Sequence, residues 1–231
     1  MRLNGRRAGK MPCCLSQRLA RPSSMNSTTG IIHQVAPHTC EPYFGDTVKW
    51  LERAVIGLNL CPFAKGVHVK NQIHYVVAHT AAAEDVLSVL RQELFDLNAV
   101  AADVRDTTLL ILPHCFADFL DFNDFLQEAE ALLASMDLEG IFQIASFHPQ
   151  FQFAGTAADD VTNCTNRAPY PTLHLLREAS IDRAVEVFPE AETIFERNIE
   201  VLETLGMDGW QALDVGPGSS KTDSFDRGEP R

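Results

Sequence analysis

Between His148 and Glu178 the chain gathers side chains suited to acid–base and anion chemistry: His148, Asp159, Asp160, Asn166, Arg167, Tyr170, His174, Arg177 and Glu178. Histidine changes charge near neutral pH and serves as general acid or base. The planar fork of arginine matches a carboxylate or a phosphate. In Asn166-Arg167-Ala168-Pro169-Tyr170-Pro171, two prolines restrict the backbone on both sides of Tyr170. Such a loop either holds Arg167 for a ligand or packs Tyr170 inward and leaves Arg167 in solvent. His174, Arg177 and Glu178 stand at positions i, i+3 and i+4, which predicts one face of a helix from Pro171 to about Ala179. There His174 and Glu178 have the spacing of metal ligands, and His174 with Arg177 that of an anion site. An ion-paired surface stripe is the plain alternative.

Three further histidine positions depend on strand direction. His79, His114 and His148 each follow a predicted strand. If the strands run parallel, all three edge the crevice where open α/β sheets bind ligands. If they run antiparallel, they do not. Phe147, Phe151 and Phe153 are suited to wall a pocket beside His148. Cys61, in Cys61-Pro62-Phe63, becomes a nucleophile only if a nearby His or Arg favours its thiolate. Otherwise it is a small buried hydrophobe. Asp159 and Asp160 are carboxylates available to orient a histidine, or simply solvated.

The elements that must position these groups follow from apolar periodicity. Val48, Leu51, Val55 and Leu58 predict a helix over Asp46 to Leu60, with Asp46 as N-cap and Cys61-Pro62 as its stop. Strands are predicted over Ile73–Ala78, Thr107–Leu112 and Ile141–Phe147. Between them, Val86, Leu90, Leu94 and Leu97 mark one helix capped by Thr80. A second spans Ala117 to Met136. Phe188-Pro189-Glu190 opens a last helix with Ile194, Phe195, Leu202 and Leu205 as its stripe. The alternation predicts an α/β fold with a small βαβαβ sheet core and flanking helices, with an α+β ferredoxin-like sheet as the competitor.

Composition bounds the rest. With 231 residues the chain predicts one globular domain, over 41–213. Residues 1–40 read as a disordered basic extension and 214–231 as a disordered tail. Six basic and no acidic residues precede Met25, which leaves 13 basic against 31 acidic side chains and a net charge of −18 for the remainder. That balance argues against a nucleic-acid partner. No apolar run is long enough for a membrane span. The basic start fits either an organelle transit peptide or a start at Met25, so the expected location is cytoplasmic or, with a transit peptide, organellar. The six cysteines form no C-x-x-C pair, and reduced thiols are expected. No cofactor or oligomeric state is legible.

Three blocks together resemble a known family: Trp50-Leu-Glu-Arg-Ala-Val-Ile-Gly-Leu-Asn-Leu-Cys61-Pro-Phe, His148-Pro-Gln-Phe-Gln-Phe, and Asn166 through Glu178. It is the largely bacterial domain-of-unknown-function family 1415. The resemblance covers about residues 45–212 and implies no activity. It implies that the basic start lies outside the family region and that the three blocks share a site.

The reading that results is an enzyme for a small anionic substrate, bearing carboxylate or phosphate. His148 or His174 serves as acid/base with Glu178 in support, and Cys61 is a nucleophile in reserve. Asn166, Arg167, Tyr170 and Arg177 bind the substrate. The alternative is a non-catalytic metal- or cofactor-binding protein with His148, His174 and a carboxylate as ligands. A third is an interaction module that docks partners on the Pro-Tyr-Pro loop.

Overall fold

A computed structural model describes residues 42–187 and 193–218. The basic extension with Cys13, Cys14 and Cys40, the Phe188-Pro189-Glu190 helix start and the tail from residue 219 lie outside the described residues.

The fold is α/β, built on one four-stranded open sheet. Its strands are β1 (Ile73–Val77), β2 (Thr107–Ile111), β3 (Phe142–Phe147) and β4 (Thr172–Arg177), in the order β1-β2-β4-β3. β1 pairs with β2 in parallel, and β4 runs antiparallel to both β2 and β3. The first three strands therefore point the same way. Helices α3 (Ala83–Ala99) and α4 (Phe119–Ser135) connect them. The βαβαβ core is thus completed by one returning strand wedged into its middle.

The strand β4 occupies the segment predicted as a helix. His174, Arg177 and Glu178 therefore share no helical face. In a strand, residues three apart point to opposite sides. Leu173 and Leu175 join the main core, whereas Thr172, His174 and Leu176 face the other side. The helix α5 (Glu178–Val187) begins only at Glu178.

The main core lies between one sheet face and α3 with α4. Leu90, Leu94, Leu97, Leu110, Leu112, Phe122, Phe142, Leu173 and Leu175 are fully buried there. Asp118 caps α4, its carboxylate accepting from the N–H groups of Leu120 and Asp121. The opposite sheet face is covered by the N-terminal helical segment. There α1 (Pro42–Trp50) runs into a π-helical stretch, Leu51–Ile56, and a short α2 (Ala64–Val69) follows. Trp50, Leu51, Ala54 and Val55 bury this second core, with Phe147 and Tyr75 from the sheet.

The predicted first helix is displaced. It begins at Pro42, so Asp46 is an interior residue and not the N-cap. Asp46 is fully buried and accepts from Tyr170 Oη (2.6 Å) and from Gly218 N–H (2.7 Å). Val215 is buried in the same cluster, so packing continues past residue 213. Finally, α6 (Ile194–Ala212) packs Leu202 onto Leu60 and Cys164, the latter in the 3-10 helix Val161–Asn166. No helix among the described residues is long and apolar enough to cross a membrane.

Candidate functional site

The shared direction of β1, β2 and β3 brings their C-terminal ends to one sheet edge. His79 and His114 meet there, with ring centroids 5.7 Å apart, both against Tyr43. His148 does not join them. It is fully buried between Phe119 and Phe122, on the α4 side of the sheet. Its Nδ1 accepts the N–H of Gln150 (3.0 Å), and its Nε2 lies 2.9 Å from the Phe116 carbonyl. A carbonyl only accepts, so Nε2 carries the proton and the ring is neutral. Burial lowers its pKa, partly offset by the Phe116 carbonyl. Both ring nitrogens are committed to backbone.

The Pro-braced loop is likewise tied to itself. Arg167 donates from Nε to the Phe151 carbonyl (3.2 Å) and from Nη2 to the Ala158 carbonyl (2.6 Å). Its own carbonyl accepts from Trp50 Nε1 (2.8 Å), which fastens the loop to α1. Asn166 donates to the Ser146 carbonyl and accepts the His148 N–H through its own. Tyr170 is pinned to Asp46, and burial with that carboxylate raises its phenol pKa. Asp159 is exposed, and Asp160 caps the 3-10 helix through Thr162. A shallow depression lined by Asp118, Gln150 and Arg167 lies over this loop.

Arg177 turns to the end of α3. Its Nη2 donates to the carbonyls of Leu97 and Val100, both at 2.5 Å, and of Arg105 at 3.2 Å. The guanidinium thereby ties the C-terminal end of α3 to the turn that leads into β2. It also stacks over Phe142, 5.4 Å from the ring centroid.

His174 stands apart from these. In the sheet it lies directly opposite Leu109 on one side and Ala145 on the other. These three form part of the floor of a cavity of about 300 Å³. The roof is Trp50, Leu51 and Val55 from the α1–π segment and Phe63, Ala64 and Val67 around α2. Ile181 and Ala184 of α5 close one flank, where Asp106, Ser180 and Arg177 supply a polar end. Cys61 also lines the cavity, so the structure brings His174 and Cys61 to one space and leaves His148, Asn166, Arg167 and Tyr170 outside it. Glu178 heads α5, its N–H donating to the Ile141 carbonyl. The space arises partly because Ala145 is small beside the imidazole. The π-helical turn contributes as well: its i→i+5 bonds, seen at Gly57 N–H to Glu52 O and Leu60 N–H to Val55 O, widen the helix above the sheet.

Desolvation decides the protonation of this site. With no carboxylate to offset it, burial lowers the His174 pKa to about 4. The ring is neutral at pH 7. Burial also raises the Cys61 thiol, partly offset by the backbone at Phe63 and Ala64, so Cys61 stays protonated. Thr107 Oγ1 lies 2.7 Å from His174 Nε2 and 2.6 Å from the Leu175 carbonyl. Sequence reasoning missed Thr107, because the run Thr107–Leu112 reads as apolar on both faces. The alternation of Thr172, His174 and Leu176 against Leu173 and Leu175 was the available signal. Among the described residues no three His, Cys, Asp or Glu side chains converge as a metal site.

A family model described as "Protein of unknown function (DUF1415)" matches residues 43–212. That span holds α1 through α6 and the whole sheet. No curated protein and no solved structure gives a significant match.

Proposed function

The chain belongs to the DUF1415 family of proteins of unknown function, and on that premise we propose that it binds a small organic molecule in the cavity over β2, β3 and β4, with His174 as its polar anchor. One observation carries this reading: an apolar, ligand-sized cavity holds a single imidazole kept neutral by burial. Pockets with mostly apolar walls, few convergent polar groups and a perturbed titratable residue are the usual form of small-molecule sites.

The arginines weigh on the substrate class. Arg167 and Arg177, the groups that pointed to an anion, hold backbone carbonyls. Asp106 also lies at the Arg177 end and offsets part of the positive charge that Arg177, Arg105 and Arg183 bring there. An uncharged ligand therefore fits better than a carboxylate or phosphate. An enzymatic role would fall to His174, with Cys61 beside it. A ring with a pKa of about 4 is a weak base, so accepting a hydrogen bond is its best-supported task. Proton abstraction would require ligand binding to raise that value.

A thermal-shift screen of small organic compounds tests the site, since any ligand of the native state raises its melting temperature. At least one compound should stabilise the wild type and fail on Ala145→Phe, whose ring fills the space beside His174. Compounds that stabilise both proteins equally would place the site elsewhere.

A further inference from the structure

The hydroxyl of Thr107 has one proton. The Leu175 carbonyl can only accept, so that proton goes to it, at 2.6 Å. The 2.7 Å contact with His174 must then be an N–H donated by Nε2. A neutral imidazole carries one proton, which leaves Nδ1 as a bare acceptor. Nδ1 has no hydrogen-bond partner among the described residues, and it is not sealed among their buried orphan atoms. The cavity thus presents the Nδ1 lone pair at its floor, with the Gln143 amide two residues along β3 from Ala145.

The walls add shape. Trp50, Phe63 and Phe147 bring three aromatic rings to the cavity, and Trp50 meets Phe147 edge to face at 5.2 Å. Such walls favour flat aromatic guests. The volume of about 300 Å³ is at the small end of ligand pockets, with room for one or two fused rings. At the polar end, Ser180 donates to Asp106 at 2.6 Å, and Asp106 faces Arg177, whose Nε and Nη2 are held by backbone carbonyls. A ligand carboxylate would lose its water and meet the Nδ1 lone pair, a double cost.

Resting on the cavity reading above, we infer that the ligand is an uncharged one- or two-ring aromatic compound whose hydroxyl or N–H donates to Nδ1 of His174. The preference follows from hydrogen-bond matching: an isosteric molecule that offers only an acceptor leaves two lone pairs facing each other. That loss is worth about five-fold to 150-fold in affinity.

Calorimetric titration of the full chain at pH 7 with 2-naphthol, 2-methoxynaphthalene and 2-naphthoate tests the inference. The naphthol should bind at least about five-fold more tightly than its methyl ether, and the naphthoate more weakly than the naphthol. In His174→Phe the advantage of naphthol over the ether should vanish. If wild type binds the ether as well as the naphthol, or the naphthoate best, the donor assignment is overturned while the cavity reading stands. If none of the three binds, the cavity reading fails and the inference with it.

Discussion

His148 and His174 lie on opposite faces of one sheet, and their hydrogen bonds give them opposite tasks. His148 spends both ring nitrogens on backbone, joining the loop before α4 to the loop after β3. His174 spends one and turns the other toward the cavity. Residue type alone did not separate them; partners did. The same reasoning applies to Tyr75, whose Oη is buried with no hydrogen-bond partner among the described residues. Burial, with the nearby Glu52 charge, raises its phenol pKa and keeps it neutral. An orphaned hydroxyl costs stability that phenylalanine would not. Tyr75→Phe should therefore gain about 1 kcal/mol, read as a higher urea midpoint with an unchanged slope.

At the scale of elements, the cavity depends on the π-helical turn, and that turn depends on Gly57. A Cβ placed on Gly57 would stand 2.2 Å from the Arg53 carbonyl oxygen, a backbone atom with little freedom to yield. Gly57→Ala should destabilise the domain by about 1–3 kcal/mol and shift the fluorescence of Trp50, which closes the cavity roof. Equal stability and an unchanged spectrum would show that the turn tolerates the methyl group. The π turn and α2 were not legible in the sequence. Each is only six residues long, and the spacing of Val48, Leu51 and Val55 suits an ordinary helix equally well. Helices α3, α4 and α6 were legible because their apolar periods run long enough to decide, and strands β1 to β3 because each is a short apolar run bounded by polar, Gly or Pro residues. The strand β4 was misread for a physical reason. Thr172-Leu-His-Leu-Leu-Arg177 fits both periods, and what settles it is tertiary. The open edges of β2 and β3 can each take a strand between them, and neither signals this locally. The candidate residues share that history. His174 and Cys61 were named from sequence, but their common cavity follows from the strand parity of β4 and the turn after the first helix.

At the scale of the molecule, burial holds His74, His148 and His174 neutral among the described residues. His74 and His174 are lowered to about 4, His74 with help from Arg105, and His148 is lowered as well. Their unfolded value is near 6.5. The unfolded chain then binds more protons than the folded one between about pH 6.5 and about 4. The stability these neutral rings contribute is full above pH 6.5 and falls as pH drops through that window. Urea unfolding at steps across it should show that decline, with a smaller proton uptake in His174→Phe. A flat profile would mean that the rings titrate as exposed histidines do.

The central claim is that His174 is a neutral acceptor open to a ligand. Its most direct test is nitrogen-15 NMR of the histidine-labelled chain, followed by pH titration and addition of 2-naphthol. An Nε2–H tautomer at pH 7, protonation only near pH 4 and a change at Nδ1 on adding the naphthol are expected. A ring that titrates near 6.5, or that carries its proton on Nδ1 and ignores the naphthol, would contradict that claim.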